Sequence, residues 1–175
     1  MLTSDLRKEV SMNVKTKKRV EEYVKRLQDL YTEIKKWLAG RSFRFVDKNI
    51  TITEMLSGAY SAPALEVHSD TGMLIATLKP AGAWIIGALG RVDLEGRSET
   101  VSLLYLAKGG PALHIRTTTK GDEEKRFAPL FHGVERDGWY WIENARLGRV
   151  RNLDAELFFD LLMEISDNAQ RSVAR

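Results

Sequence analysis

Three histidines are the residues best suited to acid–base or metal chemistry, and they lie far apart in the sequence. His68, His114 and His132 each fall in a predicted strand, and nothing at metal-ligand spacing joins them. Strand alternation places His68 on one face with Glu66. If that face met His114, the side chains of His68, Glu66 and His114 could bind a cation or form a base with its orienting acid. Strand residues usually face solvent without a function, so we expect no metal and no cofactor here.

Acidic residues form a second pattern that could carry chemistry. Asp93, Glu95 and Arg97 alternate near a predicted strand end, as acids and a cation do in metal-dependent nuclease sites, but the similarity is loose. The same residues are typical of an ordinary hairpin turn with a solvated tip, and this interpretation is favoured. The segment 119–125, with its adjacent glutamates, has the character of a loop and is the best candidate for a lid.

Aromatic residues are concentrated between the turn at 137–138 and residue 142. Alternation places Trp139 and Trp141 on one face of a predicted strand, and Tyr140 with Ile142 on the other. Such residues usually pack in a core, and we expect the same of Trp37 and Trp84. If Trp139 and Trp141 were exposed, they would form a stacking platform or a protein-binding hot spot.

A basic cluster precedes the main apolar pattern of the first helix. Lys15, Lys17, Lys18 and Arg19 could contact phosphates, and residues 1–48 contain 13 Lys/Arg against 7 Asp/Glu. Solvated basic helix faces are common, however, and the cluster matches no nucleic-acid-binding motif. Nucleic acid is therefore a possible but weak partner. The common phosphate-loop, zinc-protease and serine-hydrolase motifs are absent from the sequence, which lowers the expectation of an enzyme.

Length and composition indicate one globular domain. The chain has 175 residues, of which 43% are hydrophobic and 29% are charged. It contains no cysteine and no continuous apolar leader, which favours a cytoplasmic location. The longest apolar stretch, 81–89, is much shorter than the ~20 residues that a membrane-spanning helix needs. We therefore expect no membrane partner.

Apolar periodicity predicts a helix at each end of the chain. Between Val20 and Leu38 apolar residues recur every three or four positions, Gly40 follows as a cap, and the helix could extend backwards over the N-terminal residues. A second helix begins after Asn152 or Asp154 as its N-cap. The predicted organisation is a helical segment 1–40, a sheet 43–143 and a helix 152–170.

Short β-rich segments separated by turn residues fill the middle of the chain. Residues 73–78, 83–89 and 101–107 are apolar on both faces and should be central, and Gly87 with Gly90 should bend one long strand. The predicted strands are approximately 43–46, 49–56, 63–69, 73–79, 83–94, 98–107, 112–119, 126–134 and 138–143. The predicted fold class is α+β: a curved antiparallel meander of about seven to nine strands, flanked by the two helices.

The sequence favours a non-enzymatic binding module that presents its curved sheet or a groove to a protein partner or to a second copy of itself. One alternative is a small-ligand or hydrolytic site in the concave face, and another is non-specific nucleic-acid binding through the basic cluster. The candidate ligand or partner surface is Trp84, Tyr105, His114, Trp139 and Trp141.

Overall fold

The computed structural model describes the backbone of residues 2–97, 99–119 and 122–171, and the side chains of 13–97, 99–112 and 128–166. A long helix, nine strands and a second helix follow one another along these segments. Their bounds are α1 Leu2–Trp37, β1 Phe43–Glu54, β2 Gly58–Ser69, β3 Leu74–Gly82, β4 Arg91–Glu95, β5 Thr100–Leu106, β6 Ala112–Thr119, β7 Asp122–Pro129, β8 Gly138–Asn144, β9 Arg149–Asn152 and α2 Ala155–Arg171.

Seven strands form one open antiparallel sheet in the order β1-β2-β3-β4-β5-β8-β9. Within this sheet, β2 to β5 and β9 each pair with the strand that precedes them in the chain. β8 pairs with β5 instead, because β6 and β7 form a separate two-stranded sheet. The predicted fold class is confirmed: the protein is α+β, with a curved antiparallel meander and a helix near each end of the chain.

Both helices pack on the same face of the sheet. Their apolar residues and the inward residues of β2–β5 and β8 form one buried cluster, and the rings of Trp37 on α1 and Phe158 on α2 lie 6.0 Å apart. Asp154 caps α2 as predicted, since its carboxylate accepts a hydrogen bond of 2.9 Å from the amide of Leu157. Burial of this apolar surface is the main stabilising contribution to the fold.

The opposite face of the sheet differs between its two halves. On β5, β8 and β9 it carries a second, smaller apolar cluster that includes Leu104, Leu106, Tyr140 and Val150. On β2–β4 the same face is polar, with ion pairs between neighbouring side chains. The alternation of Trp139 and Tyr140 between the two clusters is as predicted.

The predicted strand 83–94 is wrong in its first half. Residues 83–90 form an irregular connector between β3 and β4, and only Arg91–Glu95 is a strand. Gly87 and Gly90 therefore lie in a connection and do not bend a strand. An apolar segment of this length is compatible with a buried strand or with a buried irregular segment, and periodicity does not distinguish them.

Three other sequence-based boundaries are also corrected. The predicted strands 43–46 and 49–56 are one strand, β1, because the backbone pairs with β2 without a break, also at the charged positions Asp47 and Lys48. The lid predicted at 119–125 is mostly strand, since the backbone of β7 begins at Asp122 and pairs with β6. Finally, β9 was not predicted.

No helix in the described part of the chain is long and apolar enough to cross a membrane.

Connector clamp and candidate binding groove

The connector 83–90 leaves the hydrogen-bond ladder of the sheet, so its backbone groups need other partners. Within it, Ile85 and Ala88 form one isolated bridge, and the amide of Leu89 donates to the carbonyl of Tyr105 at 2.8 Å. Buried backbone groups without a partner cost free energy comparable to a lost hydrogen bond. The amide of Tyr105 in turn donates to the carbonyl of Gly90 at 2.9 Å, and further partners come from side chains of α1, β1 and β2.

Two arginines of α1 bind the carbonyls of the connector. Arg19 donates from Nε to the carbonyl of Ala83 at 3.0 Å and from Nη2 to that of Ala88 at 3.1 Å. Arg26 donates from Nη1 to the carbonyl of Leu89 at 3.1 Å. Positions 19 and 26 lie on one face of α1, since seven residues are about two turns. The helix therefore holds the connector at both of its ends.

Tyr23 lies between these arginines on the same helix face. Its hydroxyl donates to the carbonyl of Arg91 at 2.6 Å and accepts from the amide of Gly82 at 3.2 Å. A side chain at Gly90 would place its Cβ 2.5 Å from the Tyr23 ring, so only glycine allows this approach. Burial raises the pKa of Tyr23, which keeps its hydroxyl protonated and able to donate.

Glu54, at the end of β1, binds the amides at the start of the connector. Its Oε2 accepts from the amide of Ala83 at 3.0 Å and its Oε1 from that of Trp84 at 2.9 Å. The Tyr60 hydroxyl donates to the same carboxylate, and burial together with this contact raises the pKa of Tyr60. A Cβ at Gly82 would lie 2.6 Å from Glu54 Oε1. We call Arg19, Tyr23, Arg26, Glu54 and Tyr60 the connector clamp.

The two arginines of the clamp also stack on aromatic rings. The guanidinium carbon of Arg19 lies 4.4 Å from the ring centroid of Trp84, and that of Arg26 lies 4.5 Å from that of Tyr105. Such cation–π contacts contribute about 0.5–2 kcal/mol each, depending on how far they are removed from water. The clamp is thus built for holding backbone, and its charged groups are occupied by the protein itself.

A groove lies beside the clamp, between the C-terminal half of α1 and the start of β8. We call it the α1–β8 groove, and its volume is about 350 Å³. It is lined by Arg26, Asp29, Leu30, Glu33, Trp37, Tyr105, Arg136, Asp137, Gly138, Trp139, Asn152 and Leu153.

Aromatic residues form the floor of the α1–β8 groove. The rings of Tyr105 and Trp139 meet edge to face at an angle of 86°, with their centroids 5.4 Å apart. Trp139 is 7% exposed, and its Nε1 donates to the carbonyl of Arg26 at 3.4 Å. The floor is therefore anchored to α1 through Arg26, which also belongs to the clamp.

Charges of both signs form the rim of the α1–β8 groove. Asp29 and Glu33 lie one turn apart on α1, and each is paired on the same helix, with Lys25 at 2.8 Å and with Lys36 at 2.7 Å. On the other wall Arg136 donates to the side-chain oxygen of Asn152. These ion pairs are exposed, so rearranging them costs little.

The structure brings some of the predicted surface residues together and separates others. Tyr105 and Trp139 share the α1–β8 groove, whereas Trp84 lies at the connector and Trp141 is half-buried against the main core. The backbone of His114 lies in β6, outside the seven-stranded sheet, and its side chain is outside the described residues. These residues therefore do not form one site.

The predicted phosphate-contact residues fall into two groups, one engaged by the protein and one exposed. Arg19 is engaged by the connector and by Trp84. Lys15, Lys17 and Lys18 are exposed, and Lys18 makes a loose ion pair of 3.9 Å with Glu22. The three lysines are thus the residues of this cluster that an external anion can approach.

His68 lies beside Glu66 as strand alternation predicts, but within a network of charges. Glu66 contacts His68 Nε2 at 3.0 Å and Lys48 at 2.5 Å, and the other ring nitrogen of His68 lies 3.2 Å from the carbonyl of Gly72. The Lys48 and His68 contacts lower the pKa of Glu66, and Glu66 raises that of His68. His132 is elsewhere, in an isolated bridge with Arg149.

Asp93 and Glu95 lie on the polar face of β4 and are also paired. Asp93 accepts from Arg91 Nε at 2.7 Å and from the Ser102 hydroxyl at 2.8 Å, and Glu95 lies 3.4 Å from Lys79. Among the described residues, no group of three His, Asp or Glu side chains could hold a metal ion.

Sequence reasoning missed Tyr23, Glu54 and Tyr60. Each fits the pattern of an ordinary helix or strand residue, and their partners in the connector and at its two flanking residues lie 23 to 68 residues away. The nearest available signal was the pair of glycines at 82 and 90, which the clamp requires for close approach.

Comparison with known proteins identifies no matching family model, no similar curated protein and no similar solved structure.

Proposed function

We propose that this protein is a non-enzymatic binding module whose α1–β8 groove accepts a segment of a protein partner. The observation that carries the proposal is the edge-to-face pair of Tyr105 and Trp139 at the floor of a groove with a charged rim. Tyrosine, tryptophan and arginine are the residues that most often dominate protein–protein binding energy.

The size of the groove supports a peptide segment with one or two anchoring side chains. A volume of about 350 Å³ is at the lower end of the range for small-molecule sites. An apolar anchor side chain would contact Trp37 and Trp139, and the rim would bind polar groups of the same segment. Because Asp29, Glu33 and Arg136 offer both charge signs, the rim can fix the orientation of the segment.

A cytoplasmic location is part of this proposal, since a chain without cysteine is compatible with a reducing compartment. A second copy of the chain is the alternative occupant of the groove.

The test is a selection of displayed random peptides on the wild-type protein, followed by calorimetric titration of the enriched peptides. The double variant Glu33→Lys, Arg136→Glu reverses the rim and should weaken binding at least about tenfold, as expected when paired charges lose their partners. Arg44→Glu, a charge reversal at an exposed position on β1 outside the groove, is the control and should bind as the wild type does.

Equal binding to the wild type and the rim variant would reject the groove as the site. Light scattering distinguishes self-association, because a monomer has a mass of 19.9 kDa. A dimer that the rim variant converts to a monomer would identify the second copy as the occupant.

A further inference from the structure

Large apolar side chains are exposed at the β1–β2 turn, in the connector and on the N-terminal half of α1, outside the residues that line the α1–β8 groove. Met55 and Leu56 form the turn between β1 and β2 and are 101% and 61% exposed, and Ile86 in the connector is 98% exposed. Val14 on α1 is 63% exposed. We call these four residues the apolar end.

Contacts of the clamp place the β1–β2 turn near the connector. Glu54, next to Met55 in the chain, binds the amides of Ala83 and Trp84, two residues from Ile86. The N-terminal part of α1 and the β1–β2 turn form the walls of a shared surface groove of about 600 Å³, which includes Asn13 and Leu56.

The backbone around Ile86 is held by hydrogen bonds although the Ile86 side chain is free. Ile86 lies between Ala83 and Ala88, whose carbonyls are both bound by Arg19. Single exposed apolar residues are common on protein surfaces, but a group of them indicates an interaction site. A fixed backbone under exposed side chains lowers the entropic cost of inserting them elsewhere.

Exposed lysines lie on α1 beside the groove that the helix shares with the β1–β2 turn; Lys17 lines this groove together with Glu21, and Lys18 pairs loosely with Glu22. Residues 10–20 contain four Lys/Arg and no Asp/Glu, and Lys15, Lys17 and Lys18 are exposed there. A second copy docked at this end would bring two sets of lysines together, which is unfavourable. The charge therefore favours an anionic partner.

We propose that the apolar end attaches the protein to the surface of an anionic membrane. Met55, Leu56 and Ile86 enter the boundary between headgroups and acyl chains, and the lysines bind headgroup phosphates, as amphipathic surface anchors do. The sequence-based expectation of no membrane partner rested on the length needed to span a bilayer. Surface attachment requires no span.

A membrane explains both features of this end, whereas a nucleic acid explains only the lysines. Phosphates of a nucleic acid would satisfy Lys15, Lys17 and Lys18 but leave Met55 and Ile86 in water. The α1–β8 groove remains accessible on the membrane, because Glu33 lies 19 residues from Val14, or about 28 Å along the helix at about 1.5 Å per residue.

The test is sedimentation of the full chain with vesicles of phosphatidylcholine, alone or mixed with phosphatidylserine. We expect binding to the mixed vesicles only, with affinity that falls as salt rises. The double variant Met55→Ser, Ile86→Ser should bind at least about tenfold more weakly, because each buried CH₂ contributes about 0.8 kcal/mol.

Replacing Lys15, Lys17 and Lys18 with Ala should weaken binding about a hundredfold, at about 1 kcal/mol for each lysine near the surface. The double variant Met73→Ser, Leu147→Ser, at residues that are each 58% exposed, is the matched apolar control, and alanine at Lys25, Lys36 and Lys79 is the matched charge control. Both controls should bind as the wild type does. Thermal unfolding of every variant verifies that it is folded.

Three results would overturn this proposal. They are equal binding to both kinds of vesicle, wild-type binding by the Met55 and Ile86 double variant, and binding of duplex DNA without binding of vesicles. The rim variant of the α1–β8 groove should still bind vesicles, so this proposal and the groove proposal fail independently.

Discussion

Two segments of α1 contact the rest of the fold in different ways. Residues 27–34 cover regular strands and offer them apolar side chains, including Leu27, Leu30 and Ile34. Residues 19–26 instead face the connector and its flanking residues and offer Arg19, Tyr23 and Arg26 as hydrogen-bonding partners. Strands satisfy their backbone groups in the ladder, and an irregular segment cannot. The helix therefore presents apolar side chains where it covers regular strands and hydrogen-bonding side chains where it covers the irregular connector.

The largest expected effect on stability is in the apolar segment, residues 27–34. Leu27 is fully buried, and Leu27→Ala should lower the free energy of unfolding by about 3 kcal/mol through lost burial and the cavity that remains. Urea unfolding followed by circular dichroism measures this change. Val14→Ala, on the exposed surface of the same helix, should change stability by less than about 0.5 kcal/mol. Comparable losses at both sites would contradict the assignment of Leu27 to the core.

A smaller loss is expected when the clamp loses its carboxylate. Glu54→Gln replaces one of two acceptor oxygens with a donor that faces the amide of Ala83 or Trp84, and should cost about 2 kcal/mol. The control is Glu135→Gln at an exposed position, which should be neutral. If the two variants unfold at the same urea concentration, the Glu54 contacts contribute nothing to stability.

Arg19→Met should separate local from global stability. The variant keeps an apolar stem but loses the hydrogen bonds to Ala83 and Ala88, at a cost of about 1 kcal/mol. Amide hydrogen exchange should rise in residues 83–90 more than in the strands. Lys18→Met, one position away, should leave the exchange of the connector unchanged, and a uniform rise in both variants would argue against the clamp.

The smallest effect on stability is expected on the polar face of the sheet. There the charge pairs join side chains of regular strands and do not bind the backbone of an irregular segment. Glu66 raises the pKa of His68, so this contact stabilises the fold fully below the ordinary histidine pKa of about 6.5 and is lost as pH rises through the raised value. The contacts that lower the pKa of Glu66 stabilise the fold above about pH 4.5, and this stabilisation is lost as pH falls through the lowered pKa.

Glu66→Gln should therefore lower the pKa of His68, measured by nuclear magnetic resonance titration of its ring protons. Glu95→Gln, two strands away on the same face, is the control and should leave the titration of His68 unchanged. An unchanged His68 in the Glu66 variant would show that the ion pair does not form in solution.

The regular elements could be predicted from sequence because their signals are local. The three- and four-residue spacing from Val20 to Leu38 predicts α1, and glycine-containing turns such as 70–72 separate the strands of the meander. The four-residue β9 was missed, since a strand of this length with arginines at 149 and 151 has little apolar alternation.

The connector, the connector clamp and the α1–β8 groove could not be predicted, because they depend on contacts between distant residues. Nothing near Arg19 in the sequence indicates a contact with Ala83, and the apolar segment 83–89 reads equally well as a strand. Trp139 was correctly placed on one face with Trp141, but the α1–β8 groove beside it depends on where α1 lies.

The long separation between the helix and its partners has a consequence for synthesis. The Arg19 partners Ala83 and Ala88 follow it by 64 and 69 residues. At roughly 5–20 residues per second, α1 leaves the ribosome roughly 3–14 seconds before these partners have been made. During that interval only β1, β2 and part of β3 are made, so the apolar face of α1 has no complete sheet to cover. Chaperone demand on the nascent chain should therefore be greatest before the β3–β4 connection is synthesised.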